Sequence, residues 1–484
     1  MGDAMTRLSA ETLAAVPASI ARPAYDPAAV SVGIVHFGPG AFHRAHGAWY
    51  VDRLLATDPR WGIAAVSLRS AGTVEALRAQ DGLYSVSVLD REPSVQVIGA
   101  HRAYVGPGDE VRLRDLLADP AVRIVTSTVT EKGYCLRGNG TLDFDHPDIV
   151  HDQGSPGHPR SLVGWLVEGL AARASAGVAP FAVLCCDNMA GNGAKLRAAT
   201  IALAAARDKA LAEWIAAEVA FPNSMVDSIT PATDRAHLAR AAEALGVEDA
   251  AAVQREAFVQ WVLEDVALPG SPDFASAGVT LTADVAAWEQ AKLRVLNGSH
   301  STLAYLGLLL GHDSVSDAMG DPDLSAFVPA LVRDEVLPTL RGTAGLDPGA
   351  YAASVFERFR NPAIRHQLAQ IAWDGSKKLP YRLLDTAAEQ VAAGRSVERI
   401  GVAVAGWIGF LRERAARGET VTDPLAAELL ARAGSADDAA ALADAMLSLD
   451  AVFSPALANA APFRDAVVRA LGPILSGRVR NALA

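Results

Sequence analysis

The chain is poor in cysteine, in positive charge and in long apolar runs. Its 484 residues include three cysteines, Cys135, Cys185 and Cys186, an odd number without metal-ligand spacing. That argues against a disulfide framework, and no metal site is expected. The vicinal pair inside an apolar run reads as buried thiols in a reducing compartment. The formal net charge is −12, from 43 Lys and Arg against 55 Asp and Glu, and no basic run offsets it. Nucleic acid is therefore excluded as a partner. No window approaches the length of uninterrupted apolar sequence that spans a bilayer, and the first 23 residues lack an uncharged apolar region. Neither a membrane span nor a secretory leader is expected, and the expected location is cytoplasmic.

What is present is a soluble globular composition, 51% hydrophobic and 20% charged, long enough for two or three domains. Residues 1–28 read as a mobile arm with a short helix from Ala10 to Val16. Ala29 to Phe37 is a compact Val/Ile-rich run, hence a buried strand. A helix pattern follows from Phe42 to Ala56. Further strands are expected at Gly62–Leu68, Tyr84–Leu89, Val95–Gly99, Arg123–Thr130 and Pro180–Cys186, with helices at Gly72–Ala79, Ser161–Ala174 and Ala194–Ala206 between them. This alternation implies parallel βαβ units. After about Asp284 strand-like windows almost vanish, and helical patterns run from Trp288–Gly311 to Ala440–Ser448. The expected architecture is an α/β Rossmann-type domain over 1–283 and a mostly α-helical domain over 284–484.

Three clusters carry chemistry. Val35-His-Phe37-Gly38-Pro39-Gly40-Ala41-Phe42-His43 follows a strand and opens a helix, the context in which a Gly-x-Gly turn can cradle a pyrophosphate. Gly38 permits the turn and Gly40 lets the backbone approach the ligand. The third glycine of the usual fingerprint is replaced by His43. The acid that reads a ribose after the second strand is missing; Ser67-Leu-Arg69-Ser70 stands there, a set able to accept a 2′-phosphate, so both NAD and NADP stay open. Next, Cys186-Asp187-Asn188 ends a strand, where an amide can meet a developing alkoxide or simply form an Asx-turn. Phe221–Pro231 reads as a loop carrying Asp227.

The third cluster is Lys292-Leu-Arg-Val-Leu-Asn297-Gly-Ser-His300. On an α-helix its amine, amide and imidazole fall at about 0°, 140° and 80°, among Leu293, Leu296, Leu303 and Leu306. They form either a solvated polar stripe or a buried site in which a dehydrated Lys acts as a base.

Together these segments resemble the polyol-specific long-chain dehydrogenase/reductase family, which includes mannitol 2-dehydrogenases and fructuronate (mannonate) reductases. The matching segments are Gly38–His46, Thr128–Tyr134, Cys186–Asn188, Phe221–Asp227, Lys292-x4-Asn297-x2-His300 and Asp374–Lys378. The resemblance implies a cleft between two domains and catalysis without metal. It implies Lys292 as general acid/base, Asn188 and Asn297 as amides on the reacting oxygen, and His300 as a substrate-orienting group. Lys378, Asp227 and Glu289 follow as substrate-side residues, with Asp227 near the nicotinamide and Glu289 on the proton route. Phe37 to Phe42, Arg69 and Asp227 would face the cofactor.

Finer matches, such as Lys132-Gly-Tyr-Cys135 and Gln370 in place of an Arg, resemble the fructuronate reductase branch. Lys132, Arg365 and Lys378 are candidates to pair with a uronate carboxylate. The expected activity is an NAD-dependent, or NADP-dependent, interconversion of alcohol and ketone on an open-chain sugar acid or polyol. Fructuronate/mannonate is the first choice and mannitol/fructose the second, with the protein a monomer or weak homo-oligomer. A Schiff-base lyase on Lys292 and a non-catalytic nucleotide sensor are the rival classes.

Overall fold

The computed structural model describes residues 5–266 and 270–484; residues 1–4 of the expected arm lie outside them. The chain divides into two compact units, Met1–Ala286 and Ala287–Ala484.

The first unit is built on a five-stranded parallel sheet in the order β5-β2-β1-β6-β7, where β1 is Val32–Phe37, β2 Gly62–Val66, β5 His101–Val105, β6 Ile124–Ser127 and β7 Ala182–Cys185. Val35, Phe37, Val66, Val125 and Val183 on these strands are buried against the helix Leu162–Ala176, and Leu166 and Leu170 lie in the same core. Strands covered on both faces read as continuous apolar runs, which is why most were visible in the sequence. The strand order reverses between β1 and β6. In a doubly wound sheet that reversal opens a crevice at the carboxyl ends of the strands.

Two three-stranded sheets complete the unit. One joins β4 (Ser94–Ile98), β3 (Tyr84–Leu89) and β9 (Val253–Glu256). The other joins β11 (Thr280–Thr282), β10 (Gln260–Glu264) and β8 (Ser224–Asp227). The segment expected as a loop around Asp227 is therefore partly a strand. Its four residues pair antiparallel with Gln260–Leu263, a register set by the partner strand rather than by any local pattern. The arm also departs from expectation. Leu8, Val16 and Ile20 are buried with Leu83, Val97, Leu245 and Val247, and Arg7 and Ala21 form backbone bridges to Glu248 and Gln96. Burial of three apolar side chains docks the arm. Its expected helix shrinks to a 3-10 turn at Leu13–Ala15.

The single helix expected from Phe42 to Ala56 is broken into α1 (Ala41–Ala45) and α2 (Gly47–Leu55) at His46, whose φ of −120° and ψ of −84° leave the helical region. His46 Nε2 instead bonds Gln260 O at 2.8 Å.

The second unit is helical throughout its described residues, apart from isolated bridges. Its core centres on the helix Glu398–Ala416, with Trp407 and Ile408 packed among Leu379, Leu383, Phe453, Phe463 and Leu471. Three stretches are π-helical: Lys292–Asn297, Val332–Val336 and Pro380–Leu384. No helix among the described residues is long and apolar enough to cross a membrane.

Candidate active site

In the first unit the glycine turn hangs from the end of β1. Gly38 has φ +87°, and a Cβ there would lie 2.2 Å from Thr128 O, so only glycine fits. The turn is pinned on both sides. Gly38 N–H bonds Val66 O at 2.9 Å, and Thr128 Oγ1 donates to Gly38 O at 2.7 Å. Beneath it sits a buried histidine stack. His36 and His43 lie 3.3 Å apart, ring on ring, and His43 Nε2 meets His101 Nε2 at 3.0 Å. Burial pushes His36 and His101 down to about 3, so the stack is neutral. His36 bonds Thr126 at 2.7 Å and Thr128 at 3.0 Å, which fixes the turn's floor.

Gly40 differs from Gly38. A Cβ at Gly40 would meet nothing nearer than Gly38 O at 3.9 Å, and no side chain caps the helix that begins at Ala41. Open space over a glycine Cα beside uncapped N–H groups is what a pyrophosphate requires. The residues present therefore fit a dinucleotide.

At the end of β7 the structure puts Asp187, not Asn188, at the centre of a network. Asp187 Oδ2 accepts from Tyr134 OH at 2.7 Å and Val129 N at 2.8 Å, which ties the Thr128–Tyr134 segment to this strand end. Burial pushes its carboxyl up, and the hydrogen bonds oppose that. Asn188 is exposed in the bend that follows. Asn192 Nδ2 donates to Cys185 O at 3.0 Å and to Ser224 O at 2.8 Å, joining β7 to β8, whose last residue is the buried Asp227. Cys185 and Cys186 are both buried free thiols. Lys132 is exposed.

Arg69, just past β2, is paired with an acid rather than standing alone. Its Nη2 lies 2.8 Å from Asp148 Oδ2, although its side chain is 76% exposed. Among the described residues, Cys135, His146 and Asp148 bring one possible metal-ligand atom each within 4.8 Å of one another. Two of the three are already engaged. His146 Nδ1 accepts from Asp148 N–H, and Asp148 pairs with Arg69.

In the second unit Lys292 opens the first π-helical stretch and is 8% exposed. Bonding from i to i+5 widens the turn. Lys292 and Asn297 are five apart, so they stand about one turn from each other rather than splayed as on an α-helix. Glu289 lies half-buried on the preceding helix, Val285–Ala291. Asn297 is half-buried at the end of the π stretch, and α-helix resumes at Gly298. A Cβ on Gly298 would lie 2.8 Å from Arg382 O, so glycine lets the π stretch Pro380–Leu384 approach this segment.

His300 is 5% exposed, and its Nε2 is enclosed without a hydrogen-bond partner. Its ring stacks on Phe359 at 4.4 Å and meets His366 edge-on at 4.9 Å. Burial drives its pKa well below the ordinary value, helped by the positive charges of Arg382, Arg358 and Lys378 and, once protonated, by His366, which burial holds down to about 4. Lys378 is itself pulled down by burial and by Arg382, against the opposing carboxylates of Asp374 and Asp423. Arg382 donates to Ser301 Oγ at 3.1 Å, while its Nε is buried and unpartnered. Of the cations expected to face a carboxylate, Lys378 is here and Arg365 is exposed. Arg358, His366 and Arg382 were not anticipated. No spacing in the sequence joins positions 300, 358, 366 and 382; only the tertiary fold does.

Comparison with known proteins covers both units. The mannitol dehydrogenase Rossmann domain model matches residues 32–274, and the mannitol dehydrogenase C-terminal domain model matches 284–475. The chain is 40% identical to the D-mannonate oxidoreductase of Escherichia coli K12 over 476 residues, covering 96% of this chain and 98% of that protein. The fold is similar to a D-sorbitol dehydrogenase in substrate-free form, with a TM-score of 0.91 and 34% identity over 99% of this chain and 100% of that one. It is also similar to the ternary complex of Pseudomonas fluorescens mannitol 2-dehydrogenase with NAD and D-mannitol, with a TM-score of 0.85, 36% identity and 99% of each chain covered.

Proposed function

This chain belongs to the mannitol dehydrogenase family, and on that footing we propose that it interconverts fructuronate and mannonate, a ketone and a secondary alcohol on an open-chain sugar acid, with a nicotinamide dinucleotide and without metal. It is an oxidoreductase. The sugar-acid reading rests on the surroundings of His300. An enclosed imidazole nitrogen has no partner, and the Arg382 guanidinium and the Lys378 ammonium bear on it. Crowding cations in a buried site is costly unless an anion completes it. A carboxylate-bearing substrate supplies that anion, whereas mannitol and fructose do not. The kinship with a D-mannonate oxidoreductase points the same way.

The residues divide the work as follows. Phe37, Gly38, Pro39, Gly40, Ala41 and Phe42 would hold the dinucleotide, with Arg69 on its ribose side and Asp227 near its nicotinamide. When bound, that group supplies or accepts the hydride. Lys292 holds the proton that the reacting oxygen takes up or releases. Asn188 and Asn297 donate amide N–H groups to that oxygen as charge builds on it. His300, kept neutral by burial, points a ring nitrogen at the substrate, and Lys378 pairs with its carboxylate. Glu289, one turn before Lys292, exchanges the proton with solvent.

The test is nicotinamide absorbance with D-fructuronate, D-tagaturonate, D-fructose, mannitol and arabinitol, each with either cofactor. We expect kcat/KM for fructuronate to exceed that for fructose by at least about tenfold, the discrimination one well-placed polar contact supports. Equal or better turnover of fructose and mannitol would establish the neutral-polyol reading instead.

A further inference from the structure

The ribose-reading acid that is missing after β2 is replaced in space from elsewhere in the chain. In a doubly wound sheet the adenosine half of a dinucleotide lies over the carboxyl ends of the strands on one side of the order reversal; here those are β1, β2 and β5. A cavity of about 260 Å³ opens at that place, lined among others by Leu68, Arg69, Gly106, Gly108 and Asp148. Asp148 arrives from the first turn of the helix Pro147–Gly154, 79 positions from Arg69 in sequence. Its carboxylate is largely covered, with the side chain 22% exposed against 76% for Arg69, and lies 2.8 Å from the guanidinium.

We infer that Asp148 is the ribose-reading acid of this chain and sets its preference for a dinucleotide with a free 2′-hydroxyl. The inference rests on the dinucleotide reading given above. A carboxylate accepts a hydrogen bond from a 2′-hydroxyl and repels a 2′-phosphate. Arg69, which alone would attract that phosphate, has its charge met by Asp148. The other acids lining the cavity are committed elsewhere: Asp109 accepts from Gly106 N at 3.1 Å, and Glu110 pairs with His158 at 2.8 Å. Asp109, Glu110 and Asp148 set against Arg69 and Arg160 leave the lining net negative. Because the Arg69–Asp148 pair is exposed on the arginine side, it is weak. The selectivity therefore comes from the charge of Asp148 and not from restraint of Arg69.

The test needs no sugar substrate, so it stands apart from the fructuronate assay. Calorimetric binding of ADP-ribose and 2′-phospho-ADP-ribose is measured on the full-length protein and on Asp148→Asn and Arg69→Ala. The unmodified protein should bind ADP-ribose at least about tenfold more tightly. Asp148→Asn should shrink that ratio about tenfold or invert it. Arg69→Ala, an exposed change that spares folding, should widen the ratio by weakening only the phosphorylated ligand. An unchanged ratio in Asp148→Asn, a widened ratio lost in Arg69→Ala, or binding of neither ligand would each overturn the inference.

Discussion

Gly38 and Gly40 stand two residues apart and do different work. At Gly38 a side chain collides with Thr128 O, and φ is positive. At Gly40 a side chain meets almost nothing in the protein. Gly38→Ala is therefore expected to lower stability by about 1–3 kcal/mol, the range for a forced left-handed residue. Gly40→Ala should leave the melting temperature within about 2 °C yet weaken dinucleotide binding by about tenfold or more, because its methyl occupies the ligand's space. Thermal melts and dinucleotide titration of the two variants check this. A large melting shift for Gly40→Ala with intact binding would contradict it. The glycine turn was legible in the sequence because the backbone itself demands the residue type. Asp148, Asp187, His366 and Arg382 were not, because an ion pair across 79 positions, or a strand-end acid tied to a tyrosine 53 residues away, leaves no local spacing to read.

At the scale of elements, the π-helical stretch Lys292–Asn297 is the feature that shapes the second-unit cluster. It depends on close approach of Pro380–Leu384, which Gly298 permits. Gly298→Ala should push the two stretches apart, cost about 1–3 kcal/mol as an overpacked contact, and lower kcat by more than it changes dinucleotide affinity. A melt combined with steady-state kinetics reads both effects. Unchanged kcat alongside the lost stability would separate the π stretch from the chemistry. Sequence periodicity pointed to a helix over this region and could not distinguish π from α, since apolar residues flank Lys292 on either geometry. Strand β3 and the helix Gly72–Ala79 were read at their observed bounds. Strands β5 and β8 to β11 were missed, and each is only three to five residues long. Their burial is decided by partner strands, not by their own alternation. The arm was read as mobile for the same reason: Leu8, Val16 and Ile20 are too few and too scattered to announce a docking face.

For the molecule as a whole, composition set the class early. Length and composition pointed to a globular protein of two or three domains, and the switch from strands to helices near position 284 separated the two architectures. The sheet order that builds the crevice, the buried histidine floor and the cationic cluster are properties of the folded chain. The proposed chemistry turns on one side chain, the buried amine of Lys292. The most direct measurement compares Lys292→Ala with the unmodified protein for steady-state turnover of fructuronate and for equilibrium dinucleotide affinity. We expect kcat/KM to fall by at least about 10³-fold, in line with loss of a positioned proton donor, while dinucleotide affinity stays within about threefold. Near-normal turnover in the variant, or loss of dinucleotide binding with the catalytic rate intact, would contradict the role assigned to Lys292.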